Sequence, residues 1–214
     1  MGFDVVELFP TVICKKENAI EFTKEELNTI YNTDIFAQVL GNGLSFNEFL
    51  LNDSKFSRIK QICLDYAQEY FTEVMKYNFK LNMANSWLNV TQPGQSHMMH
   101  NHTNSLVAGV LYLKCNDSTP SIVFNNLTPT FLLNLKSTES TRLNSMEWEV
   151  PLKDNSIILF PSQCFHYVPK NTSDNERISI AFNTFVDGDV CSNRPGGDLN
   201  LGNTNYLNLS LIHI

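Results

Sequence analysis

Two kinds of hydrophobic spacing divide this chain. Ile59, Ile62, Tyr66, Tyr70 and Val74 recur at three- or four-residue steps, with Lys60, Asp65 and Gln68 off the stripe. That period predicts an amphipathic helix over 54–77, lying against a sheet as its support. A shorter helix is predicted near 23–31, where Thr23 followed by Glu26 has the form of a capping box. Residues 3–14 read as an apolar strand interrupted by Pro10, and residues 41–52, opening on Gly41-Asn42-Gly43, as a loop.

From residue 82 the pattern changes. Apolar segments become short, β-branched and aromatic, with Pro, Gly, Asn and Asp between them. They predict strands at 84–91, 106–114, 120–124, 130–135, 145–150, 156–160, 164–168 and 177–186, with a polar hairpin connection at 171–176. Short strands at this spacing predict a mainly β fold with supporting helices, an antiparallel jelly-roll or barrel. The expected organisation is one domain over 1–214: helical support at about 15–80, a β core at about 81–187 and an irregular arm at 188–214. The arm carries Arg194-Pro195-Gly196-Gly197 and an apolar end, 207–214, that could pair within the chain or with a second copy.

Bulk properties narrow the function classes. A length of 214 residues suits one domain with a proper core, and a net charge of -7 argues against a broad nucleic-acid footprint. No run of 18 apolar residues exists, so no membrane span is expected. Met1-Gly2-Phe3-Asp4 lacks a signal-peptide pattern, and Val6 stands where myristoylation wants Ser or Thr. The five cysteines are widely spaced with no Cys-x-x-Cys pair, which suits a reducing cytoplasm.

The chemistry gathers in the β region. In an extended segment side chains alternate, so His100 and His102 share a face, while His97, three residues before His100, faces oppositely. His166 sits on a later strand among apolar neighbours that do not call for it. Two imidazoles from one edge and a third from elsewhere suit divalent iron, with positions left for oxygen and a bidentate acid. Arg177 opens an alternating strand in which Arg177, Ser179, Ala181 and Asn183 share one face and Ile178, Ile180 and Phe182 the other. A guanidinium with a hydroxyl two residues on makes a carboxylate clamp. The competing reading is an exposed Arg paired with Glu176 or Asp174.

Several stretches, in this order, resemble one superfamily: Trp87-Leu88-Asn89-Val90, Pro93-Gly94, His100-Asn101-His102-Thr103-Asn104-Ser105, Gly109-Val110-Leu111-Tyr112-Leu113, Phe160-Pro161-Ser162, His166 and Arg177-Ile178-Ser179-Ile180-Ala181-Phe182-Asn183. The chain is similar, over roughly 80–187, to the iron(II)/2-oxoglutarate-dependent dioxygenases, specifically to a family of oxygenases seen in bacteria and marine phages near the prolyl-hydroxylase group. Leu8-Phe9-Pro10-Thr11 is similar as well. The resemblance implies a double-stranded β-helix of cupin-like form, with Fe(II) at its open end and 2-oxoglutarate as cosubstrate. It implies His100 and His166 as ligands and Arg177 and Ser179 on the distal carboxylate, with Tyr112 and Asn89 as further candidates for that pocket. The superfamily's pattern has Asp or Glu where this chain has His102. The third ligand is then His102 itself, or a water or a neighbour such as Asn104.

The implied activity is oxidative decarboxylation of 2-oxoglutarate coupled to C–H oxidation, with O2 consumed and either a protein residue or a small metabolite as substrate. Two other classes fit parts of the pattern. A cupin-type metal enzyme that does not use 2-oxoglutarate would suit three-histidine ligation but not the Arg177–Ser179 pair. A non-catalytic jelly-roll binding or structural protein would suit the missing acidic ligand.

Overall fold

The computed structural model describes residues 2–37, 41–115, 122–128, 135–190 and 199–200. Helix α1 (Lys24–Tyr31) starts where its cap directs: Glu26 N–H donates to Thr23 Oγ1 at 3.2 Å, and Thr23 N–H to Glu26 Oε2 at 2.9 Å. Glu26 also accepts from Arg58 Nε and Nη2, at 2.8 and 2.6 Å, so one carboxylate joins the helix start to a second helix. Arg58 holds that carboxyl below its ordinary value, against the opposing effect of burial. A lowered folded-state value stabilises the fold above the unfolded carboxyl value of about 4.3, and the contribution is lost as pH falls through the folded value. We expect Glu26→Gln to melt lower than the parent at neutral pH, the gap closing below about pH 4 in a series of thermal melts.

Helix α2 (Ser57–Glu69) follows a short 3-10 turn at Ser54–Phe56 and runs into a π-helical turn at Tyr70–Val74. Its buried face is not the predicted stripe. Ile59, Cys63, Ala67, Tyr70 and Phe71 are buried, whereas Ile62 and Tyr66 are only half-buried and Val74 is exposed. Small Cys63 and Ala67 let the helix approach the sheet, and the π turn rotates its end so that Tyr70 and Phe71 both face inward.

The strands are β1 (Cys14–Lys16), β2 (Ile35–Ala37), β3 (Gly43–Ser45), β4 (Leu81–Thr91), β5 (His97–His100), β6 (Val107–Lys114), β7 (Ile122–Asn125), β8 (Glu147–Val150), β9 (Ile157–Pro161), β10 (His166–Val168) and β11 (Arg177–Val186), with a small separate pair, β12 (Asp189–Val190) and β13 (Leu199–Asn200). A large sheet runs β1-β9-β6-β11-β4-β3-β2 and a smaller one β5-β10-β7-β8, all neighbours antiparallel. This is the two-sheet jelly-roll that the β segments predict.

Alternation along the large sheet makes two cores. Ile178, Ile180, Phe182, Leu111 and Leu159 face the helices, with Ile59, Ala67 and Phe71. Ala181, Tyr112, Val110, Ile158 and Phe160 face the smaller sheet, with Ile122 and Phe124. Gly109 is required on the helix side, because a Cβ there would overlap the Phe182 ring.

Three expectations need correction. Residues 3–13 form no strand: Phe3, Val5, Val6, Leu8 and Phe9 are exposed and only Cys14–Lys16 joins the sheet. Phe9 lies at φ 56, and Pro10 has no N–H for a ladder, so an extended pairing run cannot pass through them. Residues 41–52 are not all loop, since β3 pairs with β2 and β4; three residues are too few to show a period. Strand β5 was not anticipated at all. All of the predicted strand at 130–135 except Leu135, and nearly all of the expected arm at 188–214, lie outside the described residues.

Candidate active site

The smaller sheet brings the histidines together. On β10, His166 pairs with His100 at the end of β5 on one side and with Phe124 of β7 on the other. His102 lies two residues past β5, with its backbone N–H on Ser162 O at 2.9 Å. The candidate ligand nitrogens of His100, His102 and His166 all lie within 4.8 Å of one another, and no other such group of His, Cys, Asp or Glu occurs among the described residues. Asn104 sits at an exposed turn with φ 54, outside this cluster.

Each ring is oriented through Nδ1. His100 Nδ1 meets Met98 O at 2.8 Å, His166 Nδ1 meets Cys164 O at 2.9 Å, and His102 Nδ1 meets Asn183 Oδ1 at 2.7 Å. A carbonyl oxygen can only accept, so Nδ1 carries the proton and Nε2 presents its lone pair. His102 Nε2 and His166 Nε2 then face each other at 3.4 Å. Two lone pairs at that distance repel unless a cation lies between them, and imidazole–metal bonds of about 2.1 Å span such a gap. Burial holds His166 down to about 3 and His102 to about 4, and it lowers His100 as well. All three are therefore neutral at ordinary pH. The donor set fits a divalent metal.

His97 departs from its expected orientation. His97 pairs with Val168 and His100 with His166, three residues on β5 against two on β10. This bulge inserts one residue and reverses the parity. The His97 ring accordingly stacks on His100 at 4.4 Å and lines the same cavity. Burial lowers it to about 3.

At the cavity's other end lies Arg177. It is 6 % exposed and sits over the Tyr112 ring, 5.1 Å from the centroid, which excludes the surface ion-pair reading. Glu176 instead meets Lys114 at 3.8 Å. Register arranges the wall in rows: Thr91 opposite Arg177, then Asn89 and Tyr112 flanking Ser179, then Trp87 and Val110 flanking Ala181, then Asn85 opposite Asn183. Polar side chains fill the Arg177 end, and small Ala181 leaves room between it and the histidines. The Tyr112 hydroxyl is buried with no hydrogen bond of good geometry, and burial pushes it up. Arg177, Ser179, Tyr112, Asn89, His100, His102 and His166, the complete set of site residues expected from the sequence, line this one cavity.

Residues 85–183 match a family model described as "Putative 2OG-Fe(II) oxygenase". That segment is the β-helix core, and its match is to a 2OG-Fe(II) oxygenase family. A comparison with curated proteins finds no match. Among solved structures, the oxygenase is similar to the non-heme alpha ketoglutarate dependent epimerase SnoN from nogalamycin biosynthesis, with TM-score 0.60 and 10% identity over 89% of this chain and 87% of that one. It is similar to HygX from Streptomyces hygroscopicus with nickel and 2-oxoglutarate bound, with TM-score 0.55 and 12% identity over 81% and 82%. A prolyl hydroxylase from Trichoplax adhaerens, in complex with a peptide fragment, matches with TM-score 0.55 and 11% identity over 81% and 83%. At these identities the likeness is one of fold.

Sequence reasoning gave no role to Asn183, Asn85, Asn42 or His97. Asn42, in the loop before β3, lines the cavity and donates from Nδ2 to Asn89 Oδ1 at 2.9 Å. Alternation had placed Asn183 on the Arg177 face, but its partner is 81 residues away. Trp87 lines the cavity and stacks on His102 at 5.6 Å, whereas Trp148 lies on the outside, 43% exposed.

Proposed function

We propose that this oxygenase binds Fe(II) through Nε2 of His100, His102 and His166 and seats 2-oxoglutarate between that metal and Arg177. The observation that carries the reading is one cavity with three converging imidazole lone pairs at one end and a buried guanidinium at the other. When bound, iron and 2-oxoglutarate supply with O2 the oxidising power that releases succinate and carbon dioxide and oxidises a substrate C–H bond.

The chain's own residues bind, orient and exclude water. Arg177 meets the far carboxylate as a two-pronged donor, its plane supported by the Tyr112 ring. Ser179 and the Tyr112 hydroxyl add donors, and the Asn89–Asn42 amide pair closes that side. Phe124 and Phe160 pack against the His166 ring, at 5.8 and 4.8 Å, and keep bulk water from the histidine end. An open groove adjoins the cavity, its walls including Met99, Glu147, Tyr167 and Lys170, and His97 and Val168 line both spaces. We assign that groove to the primary substrate, a protein residue or a small molecule.

The chain is expected to act in a reducing compartment, which its free Cys14, Cys63 and Cys164 support. No helix among the described residues is long and apolar enough to cross a membrane.

The test is an anaerobic titration with Fe(II) and then 2-oxoglutarate, following the weak visible charge-transfer band of the chelate. We expect the band to saturate at one 2-oxoglutarate per bound iron. Iron binding without a band would favour a metal enzyme of the cupin type that does not use 2-oxoglutarate, and no iron binding would favour a non-catalytic barrel.

A further inference from the structure

The three clustered histidines are supported in two different ways. His100 and His166 each donate Nδ1–H to a carbonyl two residues away in their own segment, Met98 O and Cys164 O. Their orientation is thus set locally by β5 and β10. His102 lies beyond the end of β5 and has no such carbonyl. Its Nδ1 meets Asn183 Oδ1, 81 residues distant, at 2.7 Å. Asn183 is 4% exposed, and its Nδ2 donates to Asn85 Oδ1 on β4 at 2.8 Å.

The amide's two ends have separate tasks. With Nδ2 committed to Asn85, Oδ1 is turned to His102 and can only accept. A reversed amide would present N–H to Nδ1, which would place the ring proton on Nε2 and remove that lone pair. Trp87 stacks on one face of the ring and Phe160 meets it edge-on at 5.9 Å. Those contacts define the ring's plane but not its tautomer. Asn183 is neutral, so the support adds no negative charge to a cluster of neutral imidazoles.

We propose that Asn183, held by Asn85, is the positioning residue that makes His102 an Nε2 metal donor and ties the third ligand to the opposite wall of the barrel. This rests on the reading of His102 as a ligand, and the two are tested separately. The probe is Co(II), titrated into the full-length metal-free protein and followed by its visible ligand-field absorption, with thermal melting of the metal-free form as the check on folding.

Asn183→Leu fills the space without an acceptor and is expected to weaken Co(II) by about 10–100-fold, the usual effect of removing a hydrogen bond that supports a ligand. Asn183→Asp restores an acceptor for Nδ1–H, while the Asn85 amide can turn to donate to its second oxygen, so affinity should return at least to the parent's. Asn85→Ala, at a half-buried position, should weaken Co(II) by a smaller factor. His102→Ala run beside them separates the claims. Loss in His102→Ala with parental affinity in Asn183→Leu overturns the relay alone. Parental affinity in His102→Ala overturns the ligand reading and the relay with it. Equal weakening in Asn183→Leu and Asn183→Asp would show that the position matters only for packing, and it overturns the proposal. If Asn183→Leu does not fold, Asn85→Ala decides: unchanged affinity overturns the relay, weaker binding supports it.

Discussion

A His166→Ala protein is expected to leave anaerobic loading with Fe(II) and desalting without stoichiometric iron, while its metal-free form melts as a folded domain. His166 occupies the middle of the cluster: its ring lies 4.3 Å from His100 and 5.1 Å from His102, and its Nε2 is 3.4 Å from His102 Nε2. Its removal takes one of three donors and leaves two imidazoles, a set with far less affinity for a divalent metal. The loss should exceed the about 10–100-fold expected for a supporting hydrogen bond. Folding should survive, because the pairing of β10 with β5 and β7 runs through backbone groups. The metal-free variant also leaves neither remaining ring without its Nδ1 acceptor, since these are Met98 O and Asn183 Oδ1. Metal content measured per folded chain checks this, and parental iron in His166→Ala would remove the basis for the site.

The second large effect is expected from Arg177→Ala, which should retain iron and lose 2-oxoglutarate. The guanidinium is buried over Tyr112 at the opposite end of the cavity from the histidines. Truncating one partner of a buried, hydrogen-bonded charge pair costs about 2–5 kcal/mol, or roughly 30-fold to more than 1,000-fold in affinity. Arg177→Lys should recover only part of it, because an ammonium is a point charge without the planar fork. The measurement is the 2-oxoglutarate dependence of the charge-transfer band in iron-loaded protein. Unchanged dependence in Arg177→Ala would move the carboxylate anchor elsewhere, whereas loss of iron as well would mean that the variant had collapsed the cavity. The two variants thus address opposite ends of one cavity and fail independently.

Much of this arrangement is written in single segments. The capping box at Thr23 and Glu26 is a contact across three residues. Alternation along Arg177–Val186 is a property of one extended strand, and it put Arg177, Ser179, Ala181 and Asn183 on the cavity side, with Ile178, Ile180 and Phe182 toward the helices. The spacing of His100 and His102 put both on one side, and the pairing of β10 with β5 brought His166 to them.

Other features depend on a partner that no local pattern specifies. The inward turn of His97 needs the extra residue of β5 opposite β10, and a bulge exists only as a mismatch between two strands. Which face of α2 is buried was settled by how closely Cys63 and Ala67 allow the sheet to approach, not by the most regular apolar stripe. His102 illustrates the division most directly. The sequence by itself determined that an imidazole stands at position 102, on the same side as His100. Only the closed barrel decided which of its nitrogens is free, because the acceptor that settles it, Asn183, reaches His102 from a strand 81 residues further along the chain.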